Sequence, residues 1–477
     1  MKVSLSSTSL QSIEASNAIA DLNPNAADLL ITSVLSSMVS DLGVISPTSG
    51  ALLTYYDGET NTPRTIDAYL VSPKEYGGED KEQNKIAIAY GGYVETCTGV
   101  NTFAIPGIYK LLNYIYESKA SLPIEVLFEY PISIARKGFK LNETSKEYLG
   151  YTLDSLFSIH DESIKTLSIF KEKGLDNTEI KLNKLADTFE HMSKTGFEDF
   201  HSGDIANYLS KTISEEGGHA TYEDFKNYEI IKDSIFNLKY KNLNIIGHKG
   251  PSIGGLMTLK YLNALSTNVT NLEEKLLNVY LERKNNFEIF ENRSTLVQSE
   301  IDKLSTSPST IQVSTSDSDN NHYSITFSSG YGSGVVCKRT GMFLNNSLGE
   351  IELNPQGFLG DTHGERLISN MSPLIVYDQK NYYVIGSPGA DRISTALAQV
   401  IDNYSINNDW NEAIQKPRFH VNADGSIRGE PNSIDQTDNV TITEPHDMYF
   451  GGVCVTGLNK EVITYGDKRR GDINWKN

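Results

Sequence analysis

Near residue 309 the hydrophobic pattern of this chain changes period. Residues 271–303 form a charged segment with helical spacing, whereas brief β-rich runs, such as residues 323–328 and 374–378, dominate the text downstream. Between them, residues 309–334 read STIQVSTSDSDNNHYSITFSSGYGSG. Clusters of this composition commonly form solvated loops, yet a small hydroxyl residue at such a junction is also placed to act as a nucleophile. No repeat, low-complexity tract or long Pro/Gly/Ser segment separates the two halves. The pattern therefore calls for one interleaved α/β body rather than tethered domains, and 477 residues suffice to bury a large core.

Charge narrows the partners. With 42 basic and 61 acidic residues the formal charge is -19, which argues against a nucleic-acid or anionic-membrane surface, since binding phosphates needs clustered Lys and Arg. The three cysteines, Cys97, Cys337 and Cys454, are few and odd in number, and the last two lie in apolar, strand-like text; reduced core residues are expected. No CxxC or His-rich spacing suggests a metal site, and no cofactor is expected. The opening MKVSLSSTSLQSIEASN lacks the basic start and apolar run of a secretion signal, so a cytoplasmic protein is expected. The apolar tract 26–45 contains Asp28, Ser33, Ser36, Ser37, Ser40 and Asp41, which suits a buried helix rather than a bilayer span.

In chain order, residues 13–22 and 26–42 read as packed helices, the second ended by Gly43. Strands are expected at 51–57, 64–71 and 85–90. Pro106 suits the first turn of a helix to residue 116, followed by amphipathic stretches at 124–135, 146–170 and 183–193. Strands at 236–240 and 244–248 lead through GPSIGG into a helix over 256–265. That turn has neither the Lys of a phosphate-binding loop nor GxGxxG spacing, so nucleotide binding is discounted. A hairpin is expected over 374–378 and 382–386 around Gln379-Lys380-Asn381, then a helix over 392–402.

An ordered set of segments carries a resemblance: LADTFEHMSKTGFEDFHSGDIANYLSKTISEEGG from Leu185, GPSIGG with LKYLNAL, YGSGVV followed by GMFLNN, LISNMSPLIVYD, VIGSPGADRISTALAQVID and, near the end, YGDKRRG. In this order they resemble the gamma-glutamyltransferase family of N-terminal-nucleophile hydrolases across nearly the whole chain. The resemblance implies a four-layer αββα sandwich of α/β (α+β) class. It also implies a zymogen that cuts itself by autoproteolysis into a large N-terminal part, 1–308, and a small C-terminal part, 309–477. The logic is chemical. A hydroxyl is a weak nucleophile at neutral pH, and a freed α-amine with a pKa of about 7.7–8.0 supplies the missing base.

Counting back from YGSG places the family's nucleophilic threonine at Ser309, with Thr310 next and Ile311 where the family has histidine; one residue of play allows Thr310 instead. The same alignment puts a second, orienting hydroxyl at Thr326, which reads equally well as an ordinary strand residue. Backbone N–H groups of Gly389 and Ala390, where the family has Gly-Gly, would hold the oxyanion, or else form a plain helix-capping turn with Asp391 as cap. Tyr69 falls where the family's carboxylate-binding arginine stands, and a tyrosine cannot form that bidentate charged pair; Arg64 is the nearby candidate to replace it, although nothing in the spacing assigns it that role. Glu350 falls on the family's amine-binding aspartate, Ser347 on a glutamine, Ser328 on an asparagine, and Ser369-Asn370 on a carboxylate-holding Ser-Ser pair.

Three readings follow from the resemblance. The first is a self-processing enzyme that hydrolyses or transfers gamma-glutamyl groups of small amides such as glutathione. The second keeps the acyl-transfer machinery but acts on a different amide, as acylase relatives do, and the missing arginine favours it. The third is a member that kept the fold and lost the chemistry to become a binding or structural protein.

Overall fold

The strand that begins at Thr310 lies in the middle of a sheet built largely from the N-terminal part of the chain. In this computed structural model, which describes residues 1–75, 84–88, 94–266, 275–279, 310–350, 353, 363–378, 380–422, 425–434 and 439–477, a seven-stranded sheet runs Asn474–Lys476, Val3–Ser7, Thr310–Asp317, His322–Ser328, Gly50–Asp57, Thr62–Ala68 and Ile231–Lys232. A second, six-stranded sheet runs Glu461–Tyr465, Cys454–Asn459, Tyr382–Gly386, Leu374–Tyr377, Leu243–His248 and Ile235–Tyr240. Neighbouring strands pair antiparallel in both.

Side-chain bonds show that the sheets face each other. Ser316 Oγ donates to Thr456 Oγ1 at 2.9 Å, Ser324 Oγ to the Ile385 carbonyl at 3.1 Å and Thr54 Oγ1 to the Pro373 carbonyl at 2.8 Å. Helices cover the outer faces. Ala26–Ser40 is buried at every position and opens with a reciprocal cap: Asp28 N–H donates to Asn25 Oδ1 at 3.0 Å and Asn25 N–H to Asp28 Oδ2 at 2.9 Å. Its apolar residues join Val313, Ile325 and Phe327 from the seven-stranded sheet in one core. Gly254–Leu265 and Arg392–Asn407 pack together over the other sheet, burying Leu262, Leu397 and Ile401 against Leu374 and Ile385. The result is the αββα sandwich implied by the family resemblance.

The expected elements recur with shifted ends, and one differs in kind; the strand expected at 85–90 is seen as Asn84–Ile88, residues 89 and 90 lying outside the described residues. The stretch 146–170 is two helices, Glu143–Thr152 and Asp161–Lys173. The chain breaks between them because Leu156 and Phe157 turn inward, and Leu156 comes within contact distance of where a side chain at Gly334 would lie. Tyr148 and Ser163, one from each helix, donate to the carbonyls of Tyr331 and Gly334, both at 2.6 Å. The break thus buttresses the YGSG turn. The helix after the second-sheet hairpin runs on to Asn407. Of the segment 271–303, only residues 275–279 are described, and they are helical. Cys97, Cys337 and Cys454 are buried and none is in a disulfide. No helix among the described residues is long and apolar enough to cross a membrane.

Candidate active site

Thr310 opens its strand directly opposite Ser328, which in turn faces Gly50 on the next strand. Alternation puts Thr310, Gln312, Ser314 and Ser316 on one face. The bond from Ser316 to Thr456 identifies that face as the one between the sheets, while Thr315 points the other way and donates to the Ala26 carbonyl at 2.8 Å. At the open end of the interlayer space, Thr310 and Ser328 line a cleft with Tyr69, Glu350, Ser369, Asn370 and Ala390; Leu353, Met371 and Ile393 supply apolar surface. Thr310, Ser328, Glu350, Ser369 and Asn370 are all buried.

The cleft walls give structural roles to segments that carried the family resemblance. GPSIGG serves as a packing turn: Ser252 Oγ donates to the Met371 carbonyl at 2.9 Å, Ile253 N–H donates to the Ser369 carbonyl at 2.9 Å, and a Cβ at Gly254 would stand 2.1 Å from the Asn370 carbonyl. Only glycine allows the helix to approach Ser369-Asn370 so closely. The two asparagines before Ser347 are braces. Asn345 Nδ2 donates to the carbonyls of Thr48 and Ala104, and Asn346 links Tyr331 N–H to Thr96 and the Cys97 carbonyl. Gly330 has φ +65, and a Cβ there would meet Asn346 Oδ1 at 2.4 Å and Glu350 Oε1 at 2.9 Å. Glycine is therefore what lets the YGSG turn sit against Glu350.

On the second sheet, the Tyr382–Gly386 strand ends in Ser387-Pro388, and the chain turns through Gly389 at φ +125 and Ala390 at φ +52 before the helix at Arg392. The backbone N–H groups of Gly389 and Ala390 form no hydrogen bond with the described residues, whereas those of Arg392 and Ile393 bond back to the carbonyls of Gly389 and Ala390. Two N–H donors beside a helix N-terminus suit a developing oxyanion. Asp391 stands at the N-cap position with helical backbone angles and makes no side-chain cap bond, so the capping role expected for it is not what orders this turn.

The Tyr69 end is held from behind. Tyr69 N–H donates to Asp67 Oδ1 at 2.9 Å, and the Tyr69 carbonyl accepts from the Tyr228 hydroxyl and from Arg366 Nη1, each at 2.5 Å. Arg366 also donates to the Glu229 carbonyl and lies 3.6 Å from Asp67. Burial pushes the Asp67 carboxyl up, and Arg366 pulls it back. Arg64 is not the substitute cation. It pairs with Asp233 at 2.6 Å, half-exposed, opposite Tyr55 on the helix-facing side of the sheet. Among the described residues no Lys or Arg lines the cleft.

Other expected residues lie elsewhere. Ser309 is outside the described residues. Thr326 is opposite Gln312 rather than Thr310, and its hydroxyl donates to Gln312 Oε1 at 2.5 Å. Ser347 is buried in a short turn, Ser347–Gly349, and is not among the residues that line the cleft. Sequence reading missed Gln312, Arg366 and Tyr228. The spacing of Gln312 two residues after Thr310 was the only signal for the first, and nothing local marks the others.

Comparison with known proteins agrees with this architecture. A family model described as gamma-glutamyltranspeptidase matches residues 14–282 and 266–471. The chain is 22% identical to the glutathione hydrolase proenzyme of Bacillus subtilis subsp. natto over 92% of its own length and 86% of that protein. It is 26% identical to the capsule biosynthesis protein CapD proenzyme of Bacillus anthracis, over 78% and 75%. Its fold superposes on a cephalosporin acylase from Bacillus halodurans with a TM-score of 0.81 at 17% identity, covering 100% of this chain and 95% of the other. With a family match that runs from residue 14 to residue 471, this chain belongs to the gamma-glutamyltranspeptidase family.

Proposed function

We propose that the chain is the precursor of an amide hydrolase and acyltransferase, that it cuts itself at the Ser309–Thr310 bond, and that Thr310 is its nucleophile. The observation that carries this reading is the position of Thr310: it heads its strand and shares one cleft with Ser328, Glu350, Ser369, Asn370 and the turn at Ala390. In maturation the Thr310 hydroxyl attacks the Ser309 carbonyl. The amide C–N bond breaks as the ester forms, the nitrogen leaves as the new α-amine, and water hydrolyses the ester. In turnover that amine accepts the hydroxyl proton while Thr310 Oγ1 attacks a gamma-glutamyl amide. Gly389 and Ala390 N–H groups hold the oxyanion, the amine product leaves with a proton, and water or a second amine resolves the acyl-enzyme. Relatives named glutathione hydrolase proenzymes support both the precursor and the substrate class.

A second reading, an acylase for a different amide, is favoured by one observation: Tyr69 faces a cleft without Lys or Arg among the described residues, where a gamma-glutamyl α-carboxylate needs a cation. N-terminal sequencing of the smaller fragment on a denaturing gel tests the proposal. A fragment beginning at Thr310, abolished by Thr310→Ala and retained in Ser309→Ala, is the expected result. A start at Ser309 moves the nucleophile back one residue, with Pro308 as the attacked carbonyl. A chain that stays intact ends the enzyme reading. Rates on gamma-glutamyl against other acyl anilides then separate the two substrate classes.

A further inference from the structure

We infer that Gln312 is a positioning residue that sets the spacing between the nucleophile strand and the oxyanion turn; this rests on the reading of Thr310 given above. Gln312 lies two residues beyond Thr310, points between the sheets and is fully buried. Its amide uses both ends. Oε1 accepts from Thr326 Oγ1 at 2.5 Å, and Nε2 lies 2.8 Å from Ser324 Oγ and 3.1 Å from Ser314 Oγ. Ser324 passes the connection across the sandwich by donating to the Ile385 carbonyl at 3.1 Å. The amide rests directly on Gly386: a Cβ there would stand 2.2 Å from Gln312 Oε1 and 2.5 Å from Nε2. Gly386 is the last residue of the strand that leads through Ser387-Pro388 to Gly389 and Ala390. One side chain thus joins the Thr310 strand, its hairpin partner and the root of the turn.

A planar amide suits this place for a physical reason. Its oxygen and nitrogen satisfy a donor on one side and hydroxyls on the other without carrying charge into a buried space. The backbone is tied as well, with Gln312 N–H donating to Thr8 Oγ1 and Thr8 N–H to the Gln312 carbonyl, both at 3.0 Å. Loss of the side-chain amide should therefore leave the strand in place and loosen only its distance from the second sheet. Misplacing an attacking atom by about 1 Å costs on the order of a hundredfold in rate.

The test uses the full-length protein with gamma-glutamyl and other acyl anilides as probes. Gln312→Leu should lower kcat at least tenfold, leave KM within twofold, and slow appearance of the two fragments. Thr326→Val, which removes the donor to Oε1 while conserving shape, should give a smaller kcat loss that does not add to that of Gln312→Leu. If Gln312→Leu fails to fold, Thr326→Val alone carries the test through the same kcat-against-KM split. Wild-type kcat in both variants, or losses that fall equally on kcat and melting temperature, would overturn the inference while leaving the Thr310 reading intact. A wild-type chain that neither cuts itself nor turns over any anilide would overturn both.

Discussion

The carbonyl of Tyr69 is held by the Tyr228 hydroxyl and by Arg366 Nη1, each at 2.5 Å, so the backbone at residue 69 is fixed independently of the ring that lines the cleft. Tyr69→Arg should then place a guanidinium in the cleft without moving the chain. A charge-assisted hydrogen bond contributes about 1.5–3 kcal/mol. We expect KM for a gamma-glutamyl anilide to fall about tenfold, equivalent to about 1.4 kcal/mol, and KM for acyl anilides lacking the α-carboxylate to stay put. Equal KM changes for both substrates would show that residue 69 does not face the carboxylate.

Ala390 stands at φ +52, a left-handed conformation that costs a residue with a Cβ about 1–2 kcal/mol. Ala390→Gly removes that strain but returns about 0.4–1 kcal/mol of freedom to the unfolded chain. The net expectation is a gain of roughly 0.5–1 kcal/mol by urea unfolding, with kcat retained, because the oxyanion donors are backbone groups. Ala390→Val, β-branched at the same angle, should destabilise and lower kcat together. A loss of stability in Ala390→Gly would mean that the methyl packs favourably in the cleft.

Local signals carried much of this fold because they report on the environment of one segment. The helix Ala26–Ser40 and the hairpin Leu374–Tyr377 and Tyr382–Gly386 are visible in periodicity and turn residues. Register is harder. Counting back from YGSG puts the orienting hydroxyl at Thr326, but the hairpin is set by its own turn, where Asp317 Oδ1 accepts the N–H groups of Asp319 and Asn321, both at 3.0 Å, and that turn brings Ser328 opposite Thr310. Contacts between segments distant in the chain are invisible to such signals. Ser316 and Thr456 are 140 residues apart, Arg366 and Tyr69 are 297 apart, and no local pattern encodes such pairs.

Three buried histidines predict acid sensitivity. Burial pushes His201 and His322 down to about 3 and His248 to about 4, against an ordinary value near 6.5. Each folded value lies below its unfolded one, so the unfolded chain takes up the proton first; stability is complete above pH 6.5 and falls as pH drops toward 3–4. Asp41 acts in the opposite sense. Burial raises its carboxyl to about 6, so between pH 6 and 3.8 the folded state holds the extra proton and gains from acidification. His248 Nε2 donates to the Leu53 carbonyl at 3.1 Å, a bond glutamine can keep. The stability difference between wild type and His248→Gln, followed by urea midpoints from pH 7 to 5, should therefore shift in favour of the variant by about 1.4 kcal/mol per pH unit once below 6.5. A constant difference would show that His248 is protonated in the fold.

The text YGDKRRG near the C-terminus closes a buried four-charge cluster whose loss should reach the active site. Asp467 accepts from Arg418 Nη2 at 2.8 Å and Arg469 Nη1 at 3.1 Å; Glu430 accepts from Arg469 Nε at 2.9 Å and the Arg418 N–H at 2.8 Å. All four side chains are essentially without solvent contact. Burial alone would raise the Asp467 carboxyl, but Arg418 and Arg469 together with backbone N–H donors hold it below the ordinary range. Its contribution is thus present above the unfolded value and is lost only as pH falls through the depressed folded one, below the pH 5–7 range in which the variants are compared. Removing one partner of a buried pair strands the other, so Asp467→Asn should cost about 3–5 kcal/mol, nearly constant from pH 5 to 7. The cluster also fixes the loop behind the oxyanion turn: Arg418 Nη1 donates to the Phe450 carbonyl at 3.0 Å, Val453 N–H donates to Asp467 at 2.9 Å, and a Cβ at Gly389 would lie 3.3 Å from Gly451 Cα. In the fraction that folds, kcat should fall with KM little changed. Wild-type kcat in folded Asp467→Asn would separate the cluster from the turn and leave it a purely stabilising element.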